Sequence, residues 1–231
     1  ERLIRKEKEK NEKKIKKLLE TLEQAKNAEK YKRFGELLTS YMFQLKKGME
    51  EIELVDFYDE NGGTVVIPLD PQKSPSENAQ YYFTKYDKAK TALIAAKEQI
   101  EKAKEEVAYF ETLLQQVETA SPKDIEEIRE ELIEEGYLRQ RQQKKQKKQK
   151  NMKPQIERYR ASDGTEILVG KNNKQNEYLT NKLARRDEIW MHTKDIPGSH
   201  VVIRSSDPSE QTLLEGAILA AYFSKARNSS S

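Results

Sequence analysis

The chain contains no cysteine among its 231 residues, which excludes a disulfide framework and any cysteine-based zinc site and fits a reducing, cytoplasmic setting. Its histidines number only two, His192 and His200, and no third ligand stands at a metal-binding spacing beside them, so no metal is expected. No apolar run approaches the roughly 20 residues that cross a bilayer. Residues Glu1 to Lys17 are charged helix without the apolar core of a secretory leader, so the sequence reads as a fragment that starts inside a helix, with no membrane insertion. No nucleophile, base and orienter stand in a recognisable arrangement, so neither catalysis nor a cofactor is expected. Hydrophobic residues make up 35% and charged residues 36%, too polar a balance for one compact core and a normal one for long paired helices plus a small module.

A net charge of +3 conceals segregation. Asp124 to Glu135 carries seven acids against one arginine, and Arg139 to Lys153 carries eight bases and no acid. Partners are therefore to be sought from local blocks.

The long stretch free of glycine and proline, Ala79 to Ser121, holds the dominant pattern. Tyr86, Ala89, Leu93, Ala96, Ile100, Ala103, Val107, Phe110, Leu114 and Val117 alternate by threes and fours, which lays a narrow apolar seam along a coiled-coil helix about 45–50 Å long. Such a helix needs a partner, and residues 1 to about 49 supply it. Ile15, Leu18, Leu22 and Ala25 keep the spacing, and Phe34, Leu38, Tyr41 and Leu45 resume it after a skip that predicts a bend around Ala28 to Tyr31.

Between the helices the period changes to that of strands. Leu54, Val55, Phe57 and Tyr58, then Asn61-Gly62-Gly63, then Thr64 to Ile67 read as a β-hairpin, closed by Pro68 and Pro71. Ser74 or Ser76 is placed to cap the following helix, with Glu77 in its first turn. Phe57, Tyr58, Tyr81, Tyr82 and Phe83 either form a docking surface or pack the tip onto the helix ends, the commoner fate of such aromatics. Phe57, Tyr58 and Asn61 are the docking candidates.

Ser121 and Pro122 predict a new helix start, and Asp124 to Tyr137 a short acidic helix closed by Gly136. The basic run that follows has no apolar residue and is either a linker or a phosphate-binding arm through Lys144, Lys145, Lys147 and Lys148. From Gln155 a compact module is expected. Ile156 to Arg160 and Glu166 to Val169 flank a turn at Ser162-Asp163-Gly164, Glu177 to Ala184 is helical, and Ile189 to Met191 and His200 to Arg204 are further strands. Glu210 to Arg227 forms a last helix with Leu213, Leu214, Ala217, Ile218, Ala221 and Tyr222 inward. The polar loop Gly170 to Asn176 offers backbone N–H groups, amides and two lysines to an anion or nucleotide, although a plain turn with an asparagine cap explains it equally and it lacks the phosphate-loop pattern. Trp190 is either core or a stacking ring.

The run Asp163 to Asn176, with Leu179-Thr180, Asp187, Trp190-Met191-His192 and Asp195-Ile196-Pro197-Gly198-Ser199-His200-Val201-Val202-Ile203-Arg204, closely resembles the RNA-binding module of the NFACT family, which includes fibronectin-binding protein A-like proteins and ribosome quality control factors. Gly35 to Thr39, Ile67 to Asp70, Ser76 to Gln80 and Lys85-Tyr86 resemble the same family's middle coiled-coil region. The family's N-terminal domain and helix-hairpin-helix segment have no counterpart in this reading, and the RNA-binding module is read as cut short.

The resemblance implies an α+β architecture: a long antiparallel coiled-coil hairpin over residues 1–119 with a β-tip at about 50–75, an acidic helix and basic linker over 120–153, and an RNA-binding module over 154–231. It implies a factor that engages a large ribosomal subunit carrying an obstructed peptidyl-tRNA, near the stalk base, and recruits tRNA, alanyl-tRNA above all, for C-terminal alanine tailing. Gly170, Lys171, Asn172, Asn173, Lys174, Asn176, Trp190, His192, Ser199, His200 and Arg204 are then the RNA-binding candidates, beside the four lysines of the basic run. Fibronectin binding by a surface adhesin of a Gram-positive bacterium is the alternative, since members of the family are described that way.

Overall fold

The structure, a computed structural model, describes residues 1–139 and 153–229. Lys144, Lys145, Lys147 and Lys148 lie outside the described residues. The architecture is α+β. The chain forms two compact units, Lys10–Glu105 and Glu1–Glu9 together with Glu106–Ser231, a division that falls within the long helices.

In the first unit, helix α1 (Arg2–Ala25) meets α3 (Pro75–Glu118) along the expected seam, where Ala96, Ile100 and Ala103 are buried and Lys14 Nζ donates to Gln99 Oε1 at 2.7 Å. The seam skip is a true break: Lys26 and Asn27 leave the helix, and α2 (Ala28–Ser40) starts anew. The first helical stretch was expected to reach Met49, but α2 stops at Ser40 and a single 3-10 turn, Met42–Gln44, follows. The chain turns extended at Leu45 and buries that side chain with Phe34, Leu37, Leu38, Ile52, Leu54, Ile67 and Tyr82. Burial of Leu45 in this core outweighs the weak helical tendency of Thr39 and Ser40.

Strands β1 (Glu51–Val55) and β2 (Thr64–Pro68) pair antiparallel, with Ile52 opposite Ile67 and Leu54 opposite Val65 facing the core. Phe57 and Tyr58, expected in the first strand, sit in the connecting loop instead. Asp56 ends the strand: it is buried, takes Arg33 Nε at 2.9 Å, and accepts the Tyr58 N–H at 3.1 Å in an Asx turn. Ser74 proves to be the cap of α3, since its hydroxyl accepts the Glu77 N–H at 3.3 Å while Glu77 accepts the Ser74 N–H at 2.7 Å.

In the second unit the α3 seam widens. Ile4 of α1, Phe110 and Leu113 of α3, and Ile128 and Leu132 of α4 (Pro122–Glu134) share one core. The α4 start falls at Ser121 and Pro122 as predicted, and Asp124 completes a capping box with Ser121 that was not foreseen. Gly136 (φ 79°) reverses the chain at its end, and the Tyr137 N–H returns to the Leu132 carbonyl at 2.8 Å.

The same unit holds a four-stranded antiparallel sheet in the order β3 (Glu157–Arg160), β4 (Glu166–Gly170), β6 (His200–Ile203), β5 (Ile189–Met191). Ile167, Val169, Val201 and Ile203 face α6 (Glu210–Tyr222), while Leu168 and Val202 face Leu179 on the opposite side. Two covered faces explain the unbroken apolar runs of β4 and β6. Two expectations need correction. The helix before β5 begins at Asn173, not Glu177, as α5 (Asn173–Tyr178) followed by a π turn, Leu179–Leu183. Helix α6 seats on Leu213, Gly216, Ala220 and Phe223, leaving Leu214, Ile218 and Tyr222 exposed. Gly216 sets that orientation, because a Cβ there would stand 2.8 Å from Ile203 Cδ1, so the helix approaches the sheet on its glycine side.

Candidate nucleic-acid interface

The polar loop expected to meet RNA is engaged within the chain. Lys171 is 8% exposed. Its ammonium has three donors, and all find acceptors: Asp124 at 3.0 Å, Glu157 at 3.1 Å and the Thr119 carbonyl at 3.4 Å. Burial lowers the lysine's pKa, but the bonds to Asp124 and Glu157 outweigh it and hold the value above its ordinary one. On Asp124 burial acts upward and is outweighed in turn by bonds from the Ser121 N–H, Lys171 and Gln175, which keep the carboxyl below its usual range.

Its neighbours repeat the pattern. Asn172 caps α5 by accepting the Gln175 N–H at 2.9 Å and donates to Glu127 at 2.6 Å. Asn173 donates to Glu131 at 2.8 Å and accepts from Gln116 at 2.8 Å. Lys174 reaches Glu134 at 3.0 Å and Glu130 at 3.4 Å. Asn176 turns the other way and accepts the His200 N–H at 3.1 Å. A Cβ on Gly170 would lie 2.3 Å from Asn176 Oδ1, so a residue without a side chain is required there. In this structure the run Gly170 to Asn176 is thus the seat of the acidic helix α4. The signal was present in the sequence as seven acids and a cationic amide loop, but nothing local to either stretch pairs them.

A different group lies open. Trp190 on the edge strand β5 is 50% exposed, so of its two readings, core or stacking ring, burial in the core does not apply. It shares a face with Val202 in the register, a face on which Leu179, Leu183, Ala184 and Ile156 pack around Val202 and Leu168, and β5 is the last strand of the sheet order. His192 stands beside it with its ring nearly parallel, 7° between planes and 5.9 Å between centroids. His200, on the adjacent strand, meets both rings edge-on at 5.2 and 5.5 Å. Its Nδ1 is 2.8 Å from Thr180 Oγ1 on the π turn. Burial first, and the neighbouring His192 second, lower the pKa of His200, so the neutral imidazole is favoured. The π turn and the loop into β5 also carry the exposed side chains of Lys182, Arg185 and Arg186. Thr180 and these three cations were absent from the expected site residues.

Ser199 is buried, its N–H donating to the Phe223 carbonyl at 2.8 Å. Arg204 is held by Glu188 at 3.2 Å and Glu166 at 3.8 Å. In the other unit Phe57 and Tyr58 are exposed at the β-tip with ring centroids 4.8 Å apart, and Asn61 is exposed in the same loop. Tyr82 is core. No cluster of three or more metal-ligating side chains occurs among the described residues, and no helix among them is long and apolar enough to cross a membrane.

Helical pairing followed by a small two-faced antiparallel sheet with an exposed ring cluster defines an α+β chain. Residues 1–151 match the NFACT N-terminal and middle domains and residues 155–231 match the NFACT protein RNA binding domain, so the chain belongs to the NFACT family. It is 58% identical over 231 residues to the Rqc2 homolog RqcH of Bacillus subtilis (strain 168), covering 100% of this chain and 40% of that protein. Identity to the Rqc2 homolog RqcH of Streptococcus suis (strain 05ZYH33) is 46% over 228 residues, 98% of this chain and again 40% of the relative. The chain therefore spans about two fifths of the length of these curated relatives. Among solved structures, the C-terminal of the fibronectin/fibrinogen-binding protein from Streptococcus suis is 41% identical with a TM-score of 0.70, covering 99% of this chain and 77% of that one.

Proposed function

We propose that this chain is the ribosome- and tRNA-contacting part of a cytoplasmic ribosome quality control factor. It engages large ribosomal subunits blocked by peptidyl-tRNA and helps recruit tRNA, alanyl-tRNA above all, for C-terminal tailing of the stalled chain. Family membership and the relatives named as Rqc2 homologues support this reading. The observation that carries it is the ring cluster of Trp190, His192 and His200, with Trp190 half exposed, on a module that also exposes Lys182, Arg185 and Arg186. Flat rings at a sheet surface stack on unpaired bases, and nearby cations meet phosphates.

In this reading Lys171 to Asn176 and Ser199 position the face rather than touch RNA. Phe57, Tyr58 and Asn61 dock the tip on the subunit, and Lys144, Lys145, Lys147 and Lys148 add phosphate contacts. The role is one of binding, with no reaction of its own. The test is quenching of Trp190, the chain's single tryptophan, on titration with tRNA. Saturable quenching that weakens about tenfold in His192→Ala supports the reading, since one stacked ring is worth about 1–3 kcal/mol; tRNA binding that leaves the fluorescence unchanged contradicts it.

A second reading, fibronectin binding, is favoured by the name of the solved relative. It requires fibronectin to bind this chain with little dependence on salt or on Trp190.

A further inference from the structure

Between α2, β2 and the start of α3 lies a cavity of about 470 Å³ that the ring face above does not involve. Its walls are aromatic and its rim is cationic. Lys85 Nζ sits 4.7 Å from the Tyr31 ring centroid and 5.1 Å from that of Tyr81. Lys73 Nζ lies 5.0 Å from the Tyr81 ring, and Lys30 Nζ 5.3 Å from Phe34. Among the lining residues Asp70 is the one carboxylate and holds Lys73 at 2.5 Å, with Glu77 adding a weaker pull on that lysine from outside the lining. The cavity is therefore net positive. Tyr82 closes the floor and is fixed, its hydroxyl donating to the Pro68 carbonyl at 2.5 Å, whereas Tyr81 is 41% exposed. The bond from Lys85 to Tyr81 raises the lysine's pKa, so it remains a cation.

A simple solvated lysine patch would spread its charges outward. Here the cations are drawn against ring faces around a concave space, which suits a ligand with both a flat π system and an anion. A carboxylate side chain would satisfy the lysines and leave the aromatic wall empty, and a paired helix would present phosphates but no free base. We propose that this cavity binds a single unpaired nucleotide of RNA, its base against Tyr81 and its phosphate among Lys30, Lys73 and Lys85. The proposal rests on the RNA-directed reading only for the source of the nucleotide.

The test uses the whole chain and fluorescein-labelled RNA hairpins closed by the same non-nucleotide linker, so that one bulged adenosine is the only unpaired base by which they differ, followed by anisotropy, with adenosine monophosphate as competitor. The bulged hairpin is expected to bind about tenfold tighter than the paired one. Tyr81→Ala is expected to erase that difference while the melting curve is kept, and Lys30→Gln to weaken both hairpins and flatten their salt dependence. Competition by the monophosphate at millimolar concentration supports recognition of the nucleotide unit itself. Equal affinity for the two hairpins, or a preference that survives Tyr81→Ala, overturns the proposal. A preference lost in Trp190→Ala but kept in Tyr81→Ala overturns it while leaving the ring face as an RNA site. Failure of the unmodified chain to bind either hairpin overturns both.

Discussion

Replacing Lys171 by methionine separates a structural lysine from an RNA-binding one. The side chain is 8% exposed and its ammonium lies 3.0 Å from Asp124, whose own side chain is 6% exposed. Removing one partner of a buried pair costs about 3–5 kcal/mol, because the remaining charge is stranded. The lower end applies here. Asp124 keeps its bonds from Ser121 and Gln175, and Glu157, 40% exposed on its side chain, recovers water. A loss of about 3 kcal/mol lowers a melting midpoint by roughly 6–12 °C in a chain of this size. Trp190 fluorescence during urea or thermal unfolding reads the unit directly. Adding Asp124→Asn to Lys171→Met removes both charges and is expected to recover at least about 1 kcal/mol. A single variant within about 0.5 kcal/mol of the parent, with RNA affinity sharply reduced, refutes the structural assignment and returns Lys171 to the ligand.

The other expectations can be checked on the same footing. Gly170→Ala forces a Cβ to within 2.3 Å of Asn176 Oδ1 and 2.9 Å of its backbone nitrogen, so a destabilisation of about 1–3 kcal/mol by denaturant titration is expected. The pH profile follows from the same buried pair. Asp124, depressed below 3.8, contributes stability that is full above that value and is lost as pH falls through its lower folded pKa. Lys171, raised above 10.5, contributes stability that is full below that value and is lost as pH rises through its higher folded pKa. The pair therefore gives a plateau across neutral pH with an acid-side fall, and Lys171→Met should shrink that fall. Changing Lys144, Lys145, Lys147 and Lys148 together to alanine should reduce the slope of log affinity for tRNA against log salt by about 0.7 for each phosphate that the run neutralises; an unchanged slope makes the run a linker.

What the sequence disclosed and what it hid divide along the range of the signal. The α3 seam, the break before α2, the Ser121 cap and the Gly136 stop are set by neighbours within a few residues, and each was legible. The seating of Lys171, Asn172, Asn173 and Gln175 on α4 joins positions more than forty residues apart. No local period encodes such a contact, so the loop looked free for an anion. Trp190 was legible as a stacking candidate, but its residue type alone could not choose between core and surface; its place on the edge strand β5, 50% exposed, does. The face of α6 was hidden for another reason: the helix is apolar on both sides, so periodicity could not choose between the stripe of Leu214, Ile218 and Tyr222 and the one that packs.

The central claim is that the open ring face of the sheet meets RNA while the polar loop holds the fold. It is tested most directly by titrating the chain against isolated large ribosomal subunits, tRNA and fibronectin at two salt concentrations, with Trp190→Ala in parallel. Salt-sensitive binding to subunits or tRNA is expected, dropping about tenfold in Trp190→Ala without a change in melting midpoint. Binding to fibronectin alone, unaffected by salt and by the loss of the ring, would contradict it.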